Sequence, residues 1–100
     1  MARLLDPIHP GETLREDVLK PLGMSANQLA KKLAVDSSRL NDVVRGRRGI
    51  SADTALRLGR YLGTSAEFWM GLQADYDLRL ARRRKLKKIQ AEITPNSKVA

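Results

Sequence analysis

A chain of 100 residues has the size of one small domain, and 42% apolar content with only four aromatic residues predicts a modest core built mostly from Leu, Val, Ile and Ala. With no cysteine, a disulfide framework and a thiolate metal site are both excluded, and the N-terminus lacks the apolar run of a signal peptide. No stretch could span a membrane, so a cytoplasmic, nucleoid-associated protein with no cofactor and no metal is expected.

The net charge of +8 is unevenly placed. Residues 25–50 carry +4 and residues 78–100 carry +7, whereas residues 1–24 carry −1 and residues 51–77 carry −2. A localised basic patch is the electrostatic footprint of a nucleic-acid binder, although a terminal cluster can also be simply solvated.

Residues 1–10 hold Pro7 and Pro10, each disfavouring helix in the residue before it, and read as an extended lead-in. The lone His9 reads as a packing or hydrogen-bonding residue rather than a ligand or base. A first helix is expected from about Gly11 to Lys20, with Leu14, Val18 and Leu22 along its inner face. Pro21 then ends the helix and Gly23 turns the chain.

Ser25 to Arg45 reads as a helix-turn-helix. Ser25 and Gln28 form a capping box, and Leu29 and Leu33 fall on one face with the small Ala30 beside them. Ala34-Val35 is the turn, where Ala34 stands at a left-handed position that glycine commonly fills. Asp36 caps a second helix, Ser37 to Arg45, that buries Leu40, Val43 and Val44. Ser37, Ser38, Arg39, Asn41 and Asp42 are left on its outer face, at the end that a recognition helix presents to base edges. Arg39 suits guanine and Asn41 adenine, while Asp42 can accept from cytosine or orient Arg39 or Arg45.

Arg45, Arg47 and Arg48 surround Gly46, a left-handed helix cap, and read either as phosphate clamps or as arginines favouring a helix C-terminus and water. Asn27 and Gln28 stand where a phosphate would meet the start of a helix, with the capping box as the other role for Gln28.

A fourth helix follows from Ser51 to Gly63, with Ala55, Leu58, Gly59 and Leu62 inward. Thr64 and Glu67 read as a second capping box at the start of a fifth. Phe68, Trp69, Leu72 and Tyr76 recur there at helical spacing, as core or as an interface for another protein. Beyond Ala81 the run of like charges predicts fraying, so residues 82–100 form a basic, flexible tail behind a domain of residues 1–81. The fold class is therefore all-α, with five helices and a basic C-terminal extension.

Several of these pieces resemble one family over about residues 6–80: Pro7-Ile8-His9-Pro10-Gly11-Glu12, the helix-turn-helix, Gly46-Arg47-Arg48-Gly49-Ile50, Ala55-Leu56-Arg57-Leu58, and Gly63-Thr64-Ser65 through Glu67-Phe68-Trp69, Leu72-Gln73 and Tyr76-Asp77-Leu78. The family is the HigA-type antitoxins, also known as virulence-associated protein I, within the Xre and phage-repressor-like group. The resemblance implies a lambda-repressor-like five-helix domain that forms a homodimer on palindromic operator DNA. It also implies a partner toxin, a RelE-like (HigB-like) ribosome-dependent mRNA endonuclease, neutralised in a complex, with autorepression of the operon.

Glu12, Glu16, Asp17 and Asp53 are candidates to meet such a basic toxin. A stand-alone Xre-family repressor without a toxin is the alternative. An enzyme is not expected, since the chain lacks a second His, a phosphate loop and a paired-carboxylate cleft.

Overall fold

The structure is a computed structural model that describes residues 6–98. The first five residues of the expected lead-in and the last two of the expected tail lie outside the described residues. Five helices enclose a single core, and no strand occurs among the described residues.

Helix α1 is continuous through three segments: Pro10–Thr13, a π-helical Leu14–Leu19, and Lys20–Leu22. The His9 imidazole caps it, Nδ1 accepting from the Gly11 N–H at 2.9 Å, and Pro10 supplies a preset φ where no N–H is needed. The expected end at Lys20 is not observed: Pro21 sits inside the helix. In an α-helical ladder its ring would press on the carbonyl four residues back. The wide turn takes up that clash, with the Lys20 N–H reaching back five residues to the Arg15 carbonyl. The same turn shifts the register. Leu14 and Leu19, five apart, are both buried, whereas Leu22, placed inward by a four-residue step, is 54% exposed.

Gly23 at φ 60° closes α1, with Met24 donating to Leu19 and Gly23 to Lys20 in a paired cap. Helix α2, Ala26–Leu33, starts from the capping box expected of Ser25 and Gln28 and ends at Ala34, φ 57°. Ala34 is the one non-glycine residue at positive φ among the described residues. There Val35 donates to Ala30 and Ala34 to Lys31, the same paired cap without the glycine.

Helix α3, Ser37–Val44, has Asp36 at its N-cap, but no side-chain cap bond forms. Helix α4, Ala52–Leu62, is capped by Ser51, whose Oγ accepts from the Thr54 N–H. Helix α5, Ala66–Glu92, is capped by Ser65 rather than Thr64. The Thr64 hydroxyl is taken by the Trp69 indole, Nε1 to Oγ1 at 2.8 Å, so the second capping box does not form.

Trp69 is 1% exposed in a core with Leu14, Leu19, Leu29, Leu33, Leu40, Val43, Ile50, Ala55 and Leu58. Leu62 and Val35 pack against that core from its edge, as does Val44, which is only half-buried. Of the other aromatics in α5, Tyr76 stands edge-on to His9 while Phe68 remains 47% exposed. The fraying expected after Ala81 is also not observed, because α5 runs unbroken to Glu92. Residues 79–92 are mostly Arg, Lys, Ala, Leu and Gln, which favour helix. They also extend a helix already nucleated against the core, so adding a turn carries no nucleation cost.

Candidate nucleic-acid interface

The polar face left by α2 and α3 is built by burying everything opposite it. Leu29, Ala30 and Leu33 of α2 meet Leu40 and Val43 of α3 in the core. Ser37 and Ser38 are turned outward, exposed at the start of α3. Asn41 lies one turn on, and its amide donates to the Asn27 side chain at 2.7 Å and to the Ser37 carbonyl at 2.8 Å. Two residues expected to serve different parts of a duplex, Asn41 for bases and Asn27 for phosphate, are thus bonded across the two helices. Gln28 spends its amide oxygen on the Ser25 N–H at 2.8 Å. Among the described residues, the side chains of Ser37, Ser38, Asp42, Arg45, Arg47 and Arg48 make no hydrogen bond or ion pair.

Arg39 is placed differently from the free base reader expected. Its Nη2 donates to the Asp53 carboxylate at 2.7 Å, to Thr54 Oγ1 at 2.6 Å and to Ser51 Oγ at 3.3 Å, all at the N-terminus of α4. Nor does Asp42 orient Arg39 or Arg45: the carboxylate that holds Arg39 is Asp53. Asp53 also accepts from Arg57 Nε at 2.8 Å, and Arg57 Nη1 reaches the carbonyls of Leu33 at 2.9 Å and Ala34 at 3.3 Å. Arg57 therefore caps the carbonyl end of α2, where backbone acceptors have no partner within the helix. Hydrogen bonds from Arg39 and, next, Arg57 hold the Asp53 carboxyl below its ordinary value.

The C-terminal end of α3 is gripped from the other side. A Cβ on Gly11 would come within 1.9 Å of the Val43 carbonyl oxygen, so only glycine lets α1 approach α3 so closely. Arg15 extends toward the Val44 carbonyl at 3.5 Å. Gly46, φ 76°, ends the helix, with Arg47 donating to Asp42 and Gly46 to Val43. The His9 ring lies against Gly46 and edge-on to Tyr76, 4.9 Å between ring centroids. Its pKa is lowered by burial, with Asp77 opposing. Gln73 of α5 then secures the arginine loop: Oε1 accepts from the Ile50 N–H at 2.7 Å and Nε2 donates to Asp77 at 3.0 Å. The result is three exposed arginines on a short loop braced by α5 and the lead-in, beside an exposed polar helix end.

The sequence reading missed Asp53 as a partner of Arg39, together with Thr54, Arg57 and Gln73 as supports. The Asp53–Arg57 spacing of four was a usable signal. Nothing local linked either residue to α2 or α3. Of the carboxylates expected to face a toxin, Glu16 and Asp53 are held in ion pairs within the chain, Glu16 with Arg15 and Lys20. The described residues contain no cluster of three His, Cys, Asp or Glu side chains that could hold a metal ion, and no helix long and apolar enough to cross a membrane.

Comparison with known proteins agrees with this geometry. A helix-turn-helix family profile matches residues 16–69. Virulence-associated protein I of Dichelobacter nodosus is 58% identical over 78 residues, covering 78% of this chain and 72% of that protein. An addiction module antidote protein of the HigA family from Coxiella burnetii superposes with a TM-score of 0.87 at 49% identity, over 92% of this chain and 100% of that one. The Pseudomonas aeruginosa antitoxin HigA, solved with the higBA promoter, gives a TM-score of 0.87 at 52% identity, over 89% and 97% of the two chains. On fold, interface geometry and relatives together, this chain belongs to the Xre-like helix-turn-helix family of HigA antitoxins and virulence-associated protein I.

Proposed function

We propose that the protein is a sequence-specific DNA-binding antitoxin that acts as a homodimer and represses its own operon. The observation that carries this reading is the paired surface described above: an exposed polar N-terminal half of α3 whose opposite face is fully buried, next to an exposed arginine loop. Ser37, Ser38, Asn41 and Asp42 then face base edges in the major groove. Arg45, Arg47 and Arg48, with Asn27 and Gln28 at the start of α2, meet phosphates. Arg39 is assigned to positioning α3 in place of reading a base. A homodimer supplies the second half-site, since helix-turn-helix proteins read DNA in pairs of half-sites. The exposed Leu78, Leu86 and Ile89 share one face of α5 and offer apolar area for the second copy.

The test is binding of the full chain to DNA from upstream of its own gene, compared with a scrambled duplex, alongside its mass in solution. Preference for the upstream DNA and a dimer mass are expected. Equal affinity for both duplexes would rule the reading out.

Neutralisation of a basic RelE-like toxin is favoured by a second observation. A groove of about 360 Å³ between α1 and α5 is lined by Val18, Pro21, Leu22, Leu62 and Phe68, with Asp17 on its wall. Apolar area with an uncompensated carboxylate suits a basic partner. Co-purification with a small basic protein encoded beside it, lost on Phe68→Ser, is the expected result. A chain that always purifies alone would favour a stand-alone repressor.

A further inference from the structure

Residues 78–100 hold eight basic side chains and one acidic one, supplying most of the chain's net charge of +8. The described part of this stretch is not a loose string of charges. It is the second half of α5, anchored at one end by the packing of Trp69 and braced midway by Arg83, whose Nη1 donates to Asp6 at 2.6 Å. Every residue from Ala81 to Lys98 is exposed. Arg82, Arg84, Lys85, Lys87 and Lys88 have no ion pair among the described residues.

The helix also has a direction. Gln73 marks the flank of α5 that meets the arginine loop, because its amide binds the Ile50 N–H and packs on Gly49. Residues four, seven or eleven positions apart return to nearly the same side of an α-helix. From Gln73 those steps pass Asp77 and arrive at Arg84, Lys87 and Lys88. Leu78, Arg82, Lys85, Leu86 and Ile89 fall on the opposite flank. At 1.5 Å per residue, Arg84 and Lys88 stand about 16 and 22 Å beyond Gln73, a reach comparable with about five to seven base pairs of duplex. The one carboxylate on the way, Asp77, is already bonded to Gln73.

We propose that Arg84, Lys87 and Lys88 form a second phosphate contact, gripping duplex DNA that flanks the segment engaged by the arginine loop. The proposal rests on the DNA-binding reading above and adds a site to it. Lysine and arginine here meet phosphates without reading sequence, so the extension adds affinity and salt dependence but no base preference.

The test uses the full chain and two duplexes, the operator alone and the operator lengthened by one helical turn on each side. Wild type binds the longer duplex more tightly and with a steeper salt dependence. The triple variant Arg84→Gln, Lys87→Gln, Lys88→Gln loses that advantage but keeps its affinity for the short operator and its operator-to-scrambled ratio. With up to three phosphates neutralised and their counterions released, the wild-type advantage on the long duplex shrinks by up to about 40-fold between 50 and 200 mM salt.

Arg82→Gln, on the opposite flank, loses much less than Arg84→Gln. Circular dichroism checks that the helix persists, and alanine in place of glutamine serves if it does not. Three results overturn the proposal: equal wild-type affinity for the two duplexes at every salt concentration; equal losses from Arg82→Gln and Arg84→Gln; or a triple variant impaired only on single-stranded RNA or anionic vesicles. If wild type binds neither duplex, the DNA-binding reading fails first, and the short operator shows it.

Discussion

Arg39 and Asp53 join α3 to α4 through a 2.7 Å ion pair, and Arg57 shares the same carboxylate. One side chain of α4 thereby sets the position of α3 and, through Arg57 on the Leu33 carbonyl, of the carbonyl end of α2. Replacing Asp53 by Asn is expected to lower the ratio of operator to scrambled-DNA affinity several-fold, with the overall helical content kept. Titrations of both duplexes with variant and wild type measure that ratio; an unchanged ratio would show that α3 holds its place without the pair.

The same carboxylate makes a pH prediction. Because its folded pKa lies below its unfolded value, its contribution to stability is present above the ordinary carboxylate range and is lost as pH falls through the lowered folded value. Glu16 acts in the same direction, through hydrogen bonds first from Lys20 and then from Arg15. Melting temperature should therefore drop as pH is lowered below about 4. The gap between wild type and Asp53→Asn should narrow over that interval and close once the Asp53 carboxyl is protonated in the folded as well as the unfolded chain.

Gly11→Ala places a methyl group 1.9 Å from the Val43 carbonyl oxygen, and backbone on both sides leaves no flexible side chain to yield. A loss of about 2–3 kcal/mol is expected from overpacking of this kind. Urea unfolding of wild type and variant measures it. Operator affinity should fall with it, because the displaced segment is α3.

Ala34→Gly goes the other way. A Cβ at φ 57° costs roughly 1–2 kcal/mol, part of which is offset by the greater freedom of glycine in the unfolded chain. A net gain of about 0.5–1 kcal/mol is expected, visible as a higher urea midpoint with an unchanged slope.

Arg47→Gln and Arg48→Gln test the loop. Each should weaken operator and scrambled duplexes alike and lower the slope of log affinity against log salt by about 1. A loss confined to the operator would make either arginine a base reader.

Local chemistry made much of this protein legible. The capping box of Ser25 and Gln28, the left-handed Ala34, the inward Leu29, Leu40 and Val43 and the turn at Gly46 all rest on contacts within a few residues, and all stand where the pattern places them. Where the simple pattern failed, a competing contact about five residues away had intervened. Thr64 gave up its cap to the Trp69 indole, and the π turn ahead of Pro21 moved burial from Leu22 to Leu19.

The sequence alone therefore determined the five helices and the polar and basic residues between them, because periodicity and capping are short-range. Only the tertiary structure decided what those residues are free to do. Arg39 became a strut because Asp53 and Thr54, fourteen and fifteen residues away, reach it first. The arginine loop stayed exposed because His9 and Gln73, from opposite ends of the chain, support it from behind. Long-range pairing leaves no periodic trace, since it depends on how helices cross and not on how they are spelled.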